Sequence, residues 1–364
     1  MPMQTSTAKT IATAAAGLID ILTSAVRGWP NRRSQRGGRK HPNGGARINV
    51  ARVIRVVDYH TAGEPFRIVV GGVEPLRGAT ILDKRRDALE RLDRVRQLLV
   101  YEPRGHADMY GCHVVEPDDE GADLGVVFFH NAGYSTACGH GTIALVTWAL
   151  DEGVVEKREP ETRVVVDVPS GRLETWARVQ EGRVRSVRFR NVPAFVWGRG
   201  LRAAGHEVDV AFGGAFYASC PERVEPRELP RLIELGRAIK RDLEAAHEIV
   251  HPDEPELRDV YGVIFWQPED GEVLTQRNVT VFADGEVDRS PCGSGTSARL
   301  ALLDLPVGQE LRHRSIVGTE FRGRVVDRVD GAVITEVEGS SFRTGTAEFE
   351  LDPDDPLGTG FLLR

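Results

Sequence analysis

Apolar and polar positions alternate in short runs along most of this chain, with turn residues between the runs. "RVIRVVDYHTAGEPFRIVVGG" predicts two β-rich segments around a glycine-containing turn. "LGVVFFHNAGY" predicts a buried strand running into a loop, and "RVVVDVPSG" with "RLETWARVQEG" predicts a hairpin. "RVRSVRFRNVP", "DVAFGGAFYASC", "RDVYGVIFWQP" and "RNVTVFADG" predict further strands, and more follow through "GAVITEVEGSSFRTGTAEFEL". The period changes in "LDKRRDALERLDRVRQLLV", where Leu82, Leu89, Leu92 and Val95 fall on one helical face. "PRELPRLIELGRAIKRDLEAAHEIV" predicts a comparable long helix. "GHGTIALVTWALDEG", stopped at Gly153, and "GSGTSARLALLDL" predict two short apolar helices. Each half therefore runs β, long helix, β, Cys-Gly-X-Gly-Thr, short helix, which reads as an internal duplication.

The repeated pentapeptide lies in two near-copies of one decapeptide, "TACGHGTIAL" from Thr136 and "SPCGSGTSAR" from Ser290. Each copy places a cysteine at the mouth of a helix. A helix N-terminus offers unpaired N–H donors and the positive end of a dipole, so it attracts a carboxylate. Glycines there let backbone N–H groups come close to a ligand. The same field lowers a thiol's pKa and raises its thiolate fraction. Two such loops facing each other would make an anion cradle with a base on each side. That suits inversion at the α-carbon of an amino acid, where one thiolate abstracts a proton and a thiol on the other face returns one. The carboxylate would take up charge as the carbanion forms. A cofactor is not required in principle, and neither motif contains a lysine for pyridoxal phosphate.

Composition narrows the classes. The chain has 364 residues, a length that suits two domains, and four cysteines. Cys112, Cys138, Cys220 and Cys292 form no CxxC pair and no zinc-ligand spacing, and a chain this long needs no disulfide scaffold. Free thiols in a reducing cytoplasm are the expectation. Cys112 and Cys220 read as packing residues. Taken singly, His140 reads as a hydrogen-bonded neighbour of a helix N-cap and Asp288 as a turn residue. No apolar run is long enough to cross a bilayer. The net charge is −7, but residues 1–47 carry eight Lys/Arg against the single acid Asp20, leaving −14 on the body. An acidic body argues against a nucleic-acid surface. The basic tail 1–47 reads as a disordered extension. It imitates a transit peptide in composition and fits a secretory signal poorly, because Asp20 interrupts its apolar run.

These motifs carry a resemblance. "VDYHTAGEPFRIV", "EPRGHADMYG", "GYSTACGHGTIAL", "DVAFGGAFYA", "VDRSPCGSGTSARLAL" and "LDPDDPLGTGF" resemble the proline racemase family, from residue 53 to the C-terminus. That family includes proline racemases, 4-hydroxyproline 2-epimerases and trans-3-hydroxy-L-proline dehydratases. The resemblance implies a diaminopimelate-epimerase-like α/β fold, with two pseudo-symmetric α/β domains and the active site in the cleft between them. Residues 48–185 plus 350–364 would form one domain and 186–349 the other. It implies Cys138 and Cys292 as the acid/base thiols. Gly139 and His140 would lie at one carboxylate cradle and Gly293 and Ser294 at the other, with Asp288 on the substrate amino group. It implies no metal and no cofactor, a small imino acid as partner, and a homodimer.

Three positions depart from the family pattern. Ala137 stands where methionine is usual, Ala62 replaces a glycine, and Ser294 replaces a common threonine. "RGHADMYG" and "FGGAFYA" resemble the dehydratase branch, whereas two cysteines match the racemases and epimerases. The leading expectation is a cofactor-independent racemase or epimerase of proline or hydroxyproline. The alternative is a trans-3-hydroxy-L-proline dehydratase, followed by a non-catalytic imino-acid-binding protein.

Overall fold

The computed structural model describes residues 53–363. The basic tail 1–47 lies outside the described residues. The first half opens with a hairpin of β1 (Ile54–Thr61) and β2 (Glu64–Gly71). Two helices follow, α1 (Ile81–Arg91) and α2 (Asp93–Val100), and carry the chain to β3 (Tyr110–Val115), parallel to β2. β4 (Leu124–His130) returns antiparallel to β3, and a loop leads into α3 (Gly139–Asp151). β5 (Glu161–Val168) then lies parallel to β4, and β6 (Gly171–Gln180) and β7 (Arg183–Arg190) continue as an antiparallel meander.

The second half repeats this wiring. β8 (Phe195–Ala203), β9 (His206–Phe212) and β10 (Phe216–Pro221) are antiparallel neighbours. Helix α4 (Leu229–Ala246) crosses to β11 (Val260–Glu269), which is parallel to β10. β12 (Thr275–Phe282) returns antiparallel, followed by the short β13 (Glu286–Asp288) and then α5 (Gly293–Leu303). β14 (Glu310–Ser315) is parallel to β12, and β15 (Glu320–Val329) and β16 (Ala332–Gly339) complete the meander. The two halves share one continuous sheet through the antiparallel pair β7–β16.

The last strand, β17 (Ser341–Phe349), pairs along the whole of β1. The resemblance put the bounds of the second half at 186 and 349; with β7 paired to β6 and β17 paired to β1, we place that half between about 191 and 340.

Helices α3 and α5 are the centres of the two halves. Every residue from Gly139 to Leu150 is buried, as is every residue from Gly293 to Leu302. A helix that is covered all round belongs inside a core rather than on it. Strands β1, β2, β7 and β17 wrap α3, while β8, β9, β15 and β16 wrap α5. The outer helices are amphipathic instead. The segment expected as one helix over 82–100 is two, because the chain breaks at Leu92 (φ −117°, ψ 12°). The break turns the second segment so that Val95, Leu98 and Leu99 are buried, and α1 buries Ile81 and Ala88. Leu89, expected on the buried face, is 55% exposed. Among the described residues no helix is long and apolar enough to span a membrane.

Candidate active site

The two Cys-Gly-X-Gly-Thr loops meet where the halves touch. Cys138 is the N-cap of α3, and Cys292 holds the equivalent place before α5. Gly139 and Gly293 face each other across the junction. A Cβ on Gly139 would sit 2.5 Å from the Gly293 Cα, and one on Gly293 would sit 2.7 Å from the Gly139 Cα. Their glycine identity thus follows from the close approach of two helix ends. The second glycine of each motif makes room for the thiol: a Cβ on Gly141 or Gly295 would lie 2.7 or 2.9 Å from the neighbouring sulfur.

One hairpin tip supports both loops. The Thr61 hydroxyl donates to the His140 carbonyl at 2.9 Å, and Glu64 Oε2 accepts from the Arg289 N–H at 2.7 Å. Between them Ala62 has φ +52°, a left-handed conformation that costs an L-residue about 1–2 kcal/mol. This explains why a glycine suits that position.

Cys138, Gly139, His140, Asp288, Cys292 and Ser294 all line one narrow cavity, and Gly293 lies directly against Gly139. The structure therefore brings together the residues that the resemblance implied for the site. It adds Tyr110, Tyr217, Tyr261, Ala137, Thr280 and Phe282 to the walls. Tyr110 and Tyr217 lie within the quoted stretches "EPRGHADMYG" and "DVAFGGAFYA", so their positions were visible although their roles were not. Tyr110 and Tyr261 share a hydroxyl–hydroxyl hydrogen bond of 2.7 Å across the junction of the halves. Tyr217 and Ser294 share another of 2.7 Å. Ala137 contributes only a methyl group, with the Gly214 backbone packed close behind it.

Electrostatics correct one expectation. The helix N-termini were expected to favour thiolates. Instead, burial pushes Cys138 well above the usual thiol range, opposed by the Gly141 N–H and reinforced by the Asp288 charge. Burial likewise pushes Cys292 up to about 12, again with Asp288 adding to the rise. Desolvation outweighs the helix-end field here. Asp288 is held by the Ser290 N–H at 2.8 Å and lies 3.7 Å from His140 Nδ1. His140 Nε2 is 3.4 Å from Cys138 Sγ. Glu64 is fully buried, and burial raises its carboxyl well above the usual range, with Asp288 adding to the effect.

The remaining cysteines stay outside the site. All four thiols are free, and Cys112 and Cys220 are buried in the cores of their halves. Cys220 also lies close to His206 and Glu222, but Glu222 is already ion-paired to Arg231 at 2.8 Å.

Residues 56–362 match the proline racemase family. The chain belongs to the proline racemase family. It is 43% identical over 333 residues to a trans-3-hydroxy-L-proline dehydratase from Bacillus thuringiensis subsp. konkukian, covering 87% of this chain and 100% of the relative. It is 44% identical over 335 residues to a 3-hydroxyproline 2-epimerase from Burkholderia multivorans, with the same coverage. A crystal structure of a hydroxyproline epimerase from Agrobacterium vitis, with trans-4-hydroxy-L-proline bound, superposes with a TM-score of 0.79 at 32% identity. That superposition covers 86% of this chain and 96% of the other. The fold is diaminopimelate-epimerase-like, as the resemblance implied, and these relatives are named as enzymes acting on proline or its hydroxylated forms.

Proposed function

We propose that this chain is a cofactor-independent isomerase that inverts the α-carbon of proline or hydroxyproline, with Cys138 and Cys292 as its acid/base pair. The observation that carries this reading is the placement of two thiols and one carboxylate on a single cavity between two helix N-termini. The substrate carboxylate lies against the helix ends, where the first N–H groups of each helix have no intrahelical partner. Its ammonium lies against Asp288. That cation offsets the Asp288 charge, which raises both thiols.

With one sulfur as thiolate, the C–H bond at the α-carbon breaks and its proton passes to that sulfur. The electron pair is delocalised into the carboxylate, whose charge the helix ends stabilise. The thiol on the other face gives its proton to the carbon. Net, the configuration inverts and the thiol and thiolate exchange places.

A second reading is favoured by the 43% identity to a trans-3-hydroxy-L-proline dehydratase. There the α-proton leaves as before, but the 3-hydroxyl departs with a proton as water, leaving an enamine that tautomerises to a cyclic imine. Proton NMR in D2O with L-proline, trans-4-hydroxy-L-proline and trans-3-hydroxy-L-proline separates the readings. The isomerase predicts loss of the α-proton signal, with growth of the epimer for the hydroxyprolines. A pyrroline product from the 3-hydroxy substrate supports the dehydratase, and no exchange with any of the three overturns both.

A further inference from the structure

The cavity walls carry several hydroxyl groups, and all but one are engaged. Tyr110 bonds to Ser135 and Tyr261, and Tyr217 bonds to Ser294. Thr280 differs. It sits on β12 opposite Asp288, is 1% exposed, and lines the cavity, yet its hydroxyl oxygen has no hydrogen-bond partner. Its hydroxyl favours the charged form of the Cys292 sulfur, but the geometry falls short of a hydrogen bond. A buried hydroxyl left unpaired is unfavourable, and a ligand group that pairs with it recovers that loss. The substrate's ammonium and carboxylate already have partners in Asp288 and the helix ends. What remains for Thr280 is a hydrogen-bonding substituent on the ring.

We propose that Thr280 is a specificity-determining residue that pairs with a ring hydroxyl and so selects hydroxyproline over proline. This deepens the reading given above and rests on it. A pocket built to pair with a substrate hydroxyl discriminates strongly against the analogue that lacks it, because the pocket group is then left unpaired.

The test compares wild type with Thr280→Val, which keeps the shape and removes the hydroxyl, and Thr280→Ser, which keeps the hydroxyl. Wild-type α-proton exchange is measured first on proline and on the 3- and 4-hydroxyprolines. Its absence on all three defeats the isomerase reading, whatever Thr280 does. Given wild-type turnover, Thr280→Val should lower kcat/KM for a hydroxyproline by about 10-fold or more, mainly through KM. Thr280→Ser should stay within about 3-fold, and in Thr280→Val any proline activity should fall by less than the hydroxyproline activity does. The two hydroxyprolines show which ring position the hydroxyl occupies. The proposal is overturned if Thr280→Val leaves hydroxyproline turnover unchanged, or if Thr280→Ser loses as much as Thr280→Val. It is also overturned if Thr280→Val lowers kcat for every substrate while moving the pH profile to higher pH, since Thr280 would then serve the Cys292 thiol.

Discussion

The two Cys-Gly-X-Gly-Thr loops occupy equivalent places in the two halves, yet they hold their sulfurs by different means. Cys138 is extended (φ −153°), and its sulfur caps its own helix by accepting from the Gly141 N–H at 3.3 Å. Cys292 has φ +62°, a conformation that costs a non-glycine residue about 1–3 kcal/mol. Its sulfur makes no cap and instead lies 3.7 Å from the Tyr217 hydroxyl and 3.9 Å from that of Ser294. The local strain is offset by the Ser290 hydroxyl, which accepts from the Cys292 N–H at 3.1 Å, and by Thr296, which donates to the Cys292 carbonyl at 2.7 Å. The lesson is that the duplication preserves where the sulfur sits, not how the backbone brings it there. Cys138 draws on a helix-end N–H and an imidazole, and Cys292 on hydroxyls together with the Gly295 N–H.

What the loops share is the contact of Gly139 with Gly293, and breaking it should have the largest effect. Gly139→Ala or Gly293→Ala would drive a methyl group into the facing helix end. Overpacking of this kind costs about 1–3 kcal/mol and separates the two thiols. Thermal unfolding should report the loss of stability, and α-proton exchange should fall by about 100-fold, as expected when catalytic groups are misplaced by an ångström. Wild-type activity in either variant would show that the contact is incidental.

A smaller effect sharpens the comparison through pH. Burial raises Cys292 from an ordinary thiol value to about 12. A group whose folded pKa is raised stabilises the fold fully below the unfolded value and loses that contribution as pH rises through the folded value. Stability should therefore decline from about pH 9 upward, the usual thiol range being the unfolded reference. Denaturant titrations of wild type and Cys292→Ser between pH 8 and about 11 check this. The variant should lose less stability over that window; parallel curves would remove Cys292 from the account.

Much of this was legible in the sequence. The strands announced themselves through alternation, and the two decapeptides located both helix ends because cysteine, glycine and threonine recur there in fixed order. The break at Leu92 was not legible, because Leu82 through Val95 fit a single helical stripe and only packing exposes Leu89. The strand β17 looked continuous with its predecessors, since nothing local in "SFRTGTAEF" distinguishes pairing with β16 from pairing with β1. The upward push on both thiols was also hidden. A helix N-terminus can be read from sequence, but the burial that overrides it arises only when the halves close.

The central claim is that Cys138 and Cys292 serve opposite faces of one α-carbon. It is tested most directly by assaying Cys138→Ser and Cys292→Ser in D2O with each enantiomer separately. A hydroxyl is a much weaker acid than a thiol, so each variant should lose racemisation by about 100- to 10,000-fold. At least one variant should still exchange the α-proton of a single enantiomer, the one whose proton faces the surviving thiol. Racemisation near the wild-type rate in either single variant would contradict the account.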